Sequence, residues 1–274
     1  MAEINQQLIA RNVAKSVQKS ADVLAVWHFG ASERGRVWAE SDVDLLVVTV
    51  APPLAHTTHT VRNDSDVHFH WWAEGAFWDA LEPSGDLLLH AMVATGKLLF
   101  DRTGAFQRAV TDLSAFPEPY RFYHLIPHLE ALLGWARDLN KRMALGDERP
   151  RRAQHRLWEV DTHAANILLI EKGRFPHNEA TTQALNERLF VPTLASPAEL
   201  ESFVAPRIQA WLLPQLARWQ LHDFDAATLH SRYKLSDTSH LLAFAHRQGW
   251  LKSVRVTGRS GQPIQEVVYR LNSN

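Results

Sequence analysis

The chain has 274 residues, 46% of them hydrophobic, enough to bury a sizeable core and to fill two domains, or one domain with a smaller appendage. Its 29 Lys+Arg against 30 Asp+Glu supply no overall pull toward nucleic acid or an anionic membrane, so such a partner would need a local patch. The absence of cysteine excludes disulfides, thiolate metal ligands and a Cys nucleophile, and fits a reducing compartment. Ile4, Leu8, Ile9, Val13 and Val17 recur at helical spacing and predict an amphipathic first helix over residues 4–20. No apolar run of signal-peptide or membrane-spanning length follows, so the expected location is the cytoplasm.

"DVLAVWHFG" then reads as a short buried strand ending at Gly30, and "SDVDLLVVTV" as a second, rich in β-branched residues and closed by the breaker "APP" at 51–53. "DSDVHFHWWA" alternates as a third strand, with Val67, Phe69 and Trp71 on one face and Asp66, His68 and His70 on the other. "FWDALEPSGDLLLHAMVATGKLLFD" predicts helix, turn, helix and a strand at 97–100. At "FPEP", residues 116–119, the pattern changes to long helical periods that run from Tyr120 to Trp219, with "TTQALNERLF" among the helical stretches. Ser196, Pro197 and Glu199 there predict a helix start with a capping box.

The last fifty residues predict two short helices and a hairpin turning at "RSGQP". Residues 225–274 hold two lysines and five arginines against two aspartates and one glutamate, a net charge of +4 in a chain whose whole balance is −1. The ten tryptophans and fifteen histidines are scattered, and no His-rich cluster or internal repeat is visible.

On a strand, Asp42 and Asp44 point to one side with Cα atoms about 6.5–7 Å apart. Carboxylates so placed can hold two Mg²⁺ ions, the arrangement that clamps the attacking and leaving oxygens of phosphoryl transfer. Just upstream, Gly30 and Gly35 allow a tight turn that brings backbone N–H groups and the Ser32 hydroxyl toward phosphate oxygens.

This stretch, "HFGASERGRVWAESDVDLLVV", resembles the signature of the DNA polymerase β-like nucleotidyltransferase superfamily: Gly-Ser, a loop containing Arg-Gly, then Ser-Asp-x-Asp and a hydrophobic strand. Gly30, Arg34, Gly35, Ser41, Asp42 and Asp44 stand at the matching positions, and Ala31 replaces the usual Ser, with Ser32 directly after it. The resemblance implies an α+β protein, with a nucleotidyltransferase domain holding a mixed sheet over 1–117 and a helical substrate-binding domain over 118–224; the tail over 225–274 separately resembles a winged helix. The superfamily resemblance implies nucleotide binding by Gly30, Ala31, Ser32, Arg34, Gly35 and Ser41, and metal binding and catalysis by Asp42, Asp44 and a third carboxylate on a neighbouring strand. Asp66 matches that third position, with Asp64 as the alternative. His68 and His70 read as packing or hydrogen-bonding groups, because Mg²⁺ prefers oxygen.

The layout is similar to that of bacterial aminoglycoside nucleotidyltransferases, whose second domain "ANILLIEKGRFPHNEATTQALNERL" resembles, with His177, Asn178 and Glu179 where a lysine is frequent. The implied reaction moves a nucleoside monophosphate, AMP from ATP with Mg²⁺, to a hydroxyl of a small acceptor such as an aminoglycoside-like antibiotic. Glu130, Glu159 and Asp161 are candidates to orient or deprotonate that acceptor, against the plainer reading of solvated helix faces. Lys172 and Arg174 either touch the triphosphate or complement a helix C-terminus. In the tail, Arg232, Lys234, Arg255 and Arg259 could contact DNA phosphates. Two other readings stay open: a non-catalytic nucleotide-sensing or DNA-binding regulator, and an enzyme that adenylylates a protein.

Overall fold

The β-branched run of the second strand sets the centre of the N-terminal sheet, because residues apolar on both faces belong between two covering layers. The computed structural model describes residues 6–30, 33, 42–51, 57–62, 65–146, 150–176, 184, 188–192, 194, 196–221, 223–257 and 263–272. These fall in two compact units, Met1–Pro117 and Glu118–Asn274. No helix among the described residues is long and apolar enough to cross a membrane.

In the first unit, α1 (Gln6–Val17) leads into β1 (Val23–Phe29), β2 (Val43–Thr49), β3 (Thr57–Arg62) and β4 (Ser65–Ala73). After these come α2 (Glu74–Ala80), α3 (Leu87–Thr95), β5 (Lys97–Asp101) and α4 (Ala105–Ser114). The strands form one mixed sheet in the order β3-β4-β2-β1-β5. β2 and β4 run parallel, and the other neighbours are antiparallel. Val43, Leu45 and Val47 pack with Val67, Phe69 and the α1 residues Ile9, Ala10 and Ala14. On the opposite face Trp27 stacks on Phe77 of α2 at 5.6 Å and meets Phe106 of α4 edge-on at 5.7 Å. Alternation therefore turns Asp44 away from the α1 layer, while buried Leu46 and Val48 keep the strand anchored on both faces. β3 is an additional strand that the sequence pattern does not announce: "TTHTVR" is exposed on both faces at the sheet edge, so it carries no apolar alternation, only β-branched residues.

The second unit is built on two long helices, α5 (Glu118–Ala144) and α6 (Pro150–Glu171), joined by the Arg156–Asp138 ion pair at 2.7 Å. α7 (Pro197–Arg207) starts on a complete capping box, with Ser196 Oγ accepting from the Glu199 N–H and Glu199 accepting from the Ser196 N–H. A π-helical turn (Ile208–Leu212) separates it from α8 (Leu213–Arg218), between Pro206 and Pro214, which lack the N–H groups that continue an α-helical ladder. α9 (Ala226–Tyr233), α10 (Ser239–Arg247) and the antiparallel hairpin of β6 (Leu251–Thr257) and β7 (Pro263–Leu271) follow. Most of "TTQALNERLF" lies outside the described residues.

Candidate functional site

β1 ends at Gly30 with φ at +85°, a left-handed conformation that side chains rarely adopt. A Cβ built on Gly30 would stand 2.6 Å from Asp44 Oδ2, so only a glycine lets the chain turn this close over that carboxylate. Asp44 is paired across β1 with Phe29 and across β4 with His68. Asp42, Asp44 and His68 each offer a ligand atom, and these atoms lie within 4.8 Å of one another. His68 Nε2 is 3.7 Å from Asp42 Oδ2, and His70 Nε2 is 3.9 Å from Asp44 Oδ1. Two carboxylates and one imidazole suit a divalent cation: the oxygens fit Mg²⁺, and the nitrogen widens the choice toward Mn²⁺ or Zn²⁺.

The expected Asp66 is not in this group. It is exposed on β4, one side-chain step before His68, and the parallel pairing that sets Asp44 beside His68 gives the third place to the imidazole. His68, read as a packing or hydrogen-bonding group, stands among the residues that could hold a metal ion. Its only signal in the sequence is the alternation it shares with Asp66, and its nearness to Asp44 depends on pairing between strands. Ala31, Ser32, Arg34, Gly35, Ser41 and the alternative Asp64 lie outside the described residues.

Behind the carboxylates, His28 of β1 is buried, and desolvation pushes its pKa down to about 4 even though Asp44 favours the protonated form. It is a neutral imidazole near neutral pH. A cavity of about 210 Å³ opens beside His70, lined by Trp72, Leu88 and Met92 with Thr57 and Asp86 at hand.

The acceptor candidates separate in the second unit. Glu130 is taken: its carboxylate accepts from the His240 and Leu241 N–H groups at 2.8 Å each and pairs with His240 Nδ1 at 2.6 Å. It caps α10, whose own Thr238 side chain makes no capping bond, and it is 8% exposed. This corrects its reading as a substrate-facing base. Glu159 stands between His155 at 3.7 Å and His163 at 3.9 Å on one face of α6. Burial raises the Asp161 carboxyl above its ordinary range. Lys172 and Arg174 are exposed on either side of Gly173, whose φ of +70° ends α6. Both therefore stand where a cation complements a helix C-terminus.

No family model matches the chain, and no curated protein matches it significantly. Among solved structures it is similar to the crystal structure of a nucleotidyltransferase-like protein from Exiguobacterium sibiricum, with 20% identity, a TM-score of 0.63, and coverage of 97% of this chain and 99% of the other. The likeness reaches into both units, and the chain has an α+β, nucleotidyltransferase-like fold.

Proposed function

We propose that the protein is a nucleotidyltransferase that moves a nucleoside monophosphate, AMP from ATP as the first choice, to a hydroxyl of a small acceptor. The observation that carries this reading is the turn at Gly30 laid over Asp44 in a cluster with Asp42 and His68, on a nucleotidyltransferase-like fold. In the reaction the acceptor oxygen bonds to the α-phosphorus, the bond from that phosphorus to the bridging oxygen breaks, and pyrophosphate leaves with its electron pair. The acceptor loses its proton to a base on the same face, for which exposed Asp66, on the side of β4 that alternation gives to His68 and His70, remains a candidate.

Asp42, Asp44 and His68 would hold divalent metal, two Mg²⁺ ions in the fullest form, and the metal would supply charge neutralisation at the phosphates. Ala31, Ser32, Arg34, Gly35 and Ser41 would complete the triphosphate cradle with backbone N–H groups and side chains. The cavity beside His70, walled by Trp72, Leu88 and Met92, suits a flat apolar group such as the nucleobase. Glu159 and Asp161 keep a place as acidic groups for an amine-rich acceptor, an aminoglycoside-like antibiotic being the first to try. A nucleoside triphosphate as donor fits a reaction in the cytoplasm.

Incubation with labelled ATP or GTP, Mg²⁺ and a panel of acceptors, a protein fraction included, tests this. Pyrophosphate release that falls at least about 100-fold in Asp42→Asn and Asp44→Asn supports it. Nucleotide binding with no acceptor turned over would sink the enzyme reading.

The α9–α10–hairpin arrangement with its net +4 favours a second reading, in which residues 225–274 form a winged-helix-like DNA-binding tail of a regulator. Exposed Arg232 and Lys234 would then meet phosphates. Arg255 and Arg259 have no described side chains. Because removing the tail would strand Glu130, the better test is Arg232→Glu with Lys234→Glu, read as loss of salt-dependent duplex binding.

A further inference from the structure

Where α5 and α6 pack, His128 Nδ1 and His163 Nδ1 face each other at 2.9 Å. On its far side, His163 Nε2 lies 3.9 Å from Glu159 Oε2, so a proton carried on Nε2 would face a carboxylate and leave Nδ1 to bind through its lone pair. The side-chain amide of Asn166 meets His128 Nδ1 at 3.5 Å. At 2.9 Å the two ring nitrogens share either one N–H, from the Nδ1–H tautomer of one ring, or a cation held by both lone pairs. The state of Asn166 favours the cation. Asn166 is 7% exposed, and its Oδ1 is buried without a hydrogen-bond partner. Turning that amide by half a rotation brings the orphaned oxygen to the place from which Nδ2 faces His128.

We infer that His128 Nδ1, His163 Nδ1 and Asn166 Oδ1 form a second metal site, for one d-block divalent cation of the Zn²⁺ class, inside the helical unit. Two imidazole nitrogens bound to a tetrahedral ion at about 2.0–2.1 Å stand roughly 3.3 Å apart, so the rings need to separate by only a few tenths of an ångström. Glu159 plays the outer part, accepting the Nε2–H of a ligating histidine and fixing its tautomer. His163 is 17% exposed at its side chain, which leaves a route for the ion and a fourth position for water. Nitrogen donors exclude Mg²⁺ as the natural occupant and separate this site from the carboxylates of β2.

The test uses the full chain carrying Asp42→Asn and Asp44→Asn, so that the first cluster cannot contribute. After stripping with chelator, it is titrated with Zn²⁺, and with Co²⁺ as a spectroscopic probe, in excess Mg²⁺. One equivalent of Zn²⁺ and a tetrahedral Co²⁺ spectrum are expected. His163→Ala, and Glu159→Gln with both Nδ1 atoms intact, should each weaken Zn²⁺ binding about 10- to 100-fold. No stoichiometric Zn²⁺, or binding that His163→Ala and Glu159→Gln leave unchanged, overturns the site. His163 and Glu159 are partly exposed, so these two variants decide the question even if His128→Ala does not fold. ATP turnover by the unmutated chain is a separate measurement, and its failure leaves this result standing.

Discussion

Gly30 and Asp44 depend on each other. Gly30→Ala must place a methyl group within 2.6 Å of Asp44 Oδ2 and hold a φ of +85°, which costs about 1–2 kcal/mol in backbone strain and swings the carboxylate out of line. The expected outcome is a small loss of melting temperature with a much larger loss of metal-dependent nucleotide binding, measured by calorimetry. Glu130 is the opposite case, a carboxylate whose role is structural. Glu130→Ala leaves the His240 and Leu241 N–H groups without their acceptor and should destabilise the protein by about 2–4 kcal/mol in urea unfolding, with Glu130→Gln milder. Asp42 and Asp44 are legible in the sequence because a short motif and a hydrophobic run place both carboxylates on one side. Glu130 is not, because the amides it caps lie 110 or more residues downstream.

The same contrast runs through the elements. β1 and β2 declare themselves by apolar residues that are buried in the sheet, whereas β3 carries its evidence only in β-branched residues along an exposed edge. His68 belongs to the first cluster through the parallel β2–β4 register, which no local pattern encodes. Local chemistry does specify the start of α7. Ser196→Ala removes one side of the capping box and should cost about 0.5–2 kcal/mol in chemical denaturation, with Glu199→Ala alone costing less.

For the whole molecule, buried histidines make stability depend on pH. An unfolded imidazole takes up a proton near pH 6.5, while folded His28 resists until about pH 4. Between those values the unfolded chain binds more protons, so unfolding free energy falls as pH falls, by up to about 1.4 kcal/mol per pH unit for such a group. Buried His90, also lowered by desolvation, acts in the same sense. Denaturation curves from pH 7.5 to 5 should show this decline, and His28→Asn should flatten its slope. A slope unchanged by that substitution would assign the proton uptake to other groups.

The cap that Glu130 places on α10 also sets an order of events during folding. Joining positions 130 and 240 closes a loop of 110 residues, an entropic cost of about 4 kcal/mol before any contact rewards it. On the ribosome α5 emerges long before α10, so the acceptor waits on a chain whose donors have not yet been made. The last helix therefore depends for its first turn on the helix that opens the second unit, and refolding should end with a slow, long-range step that Glu130→Gln alters.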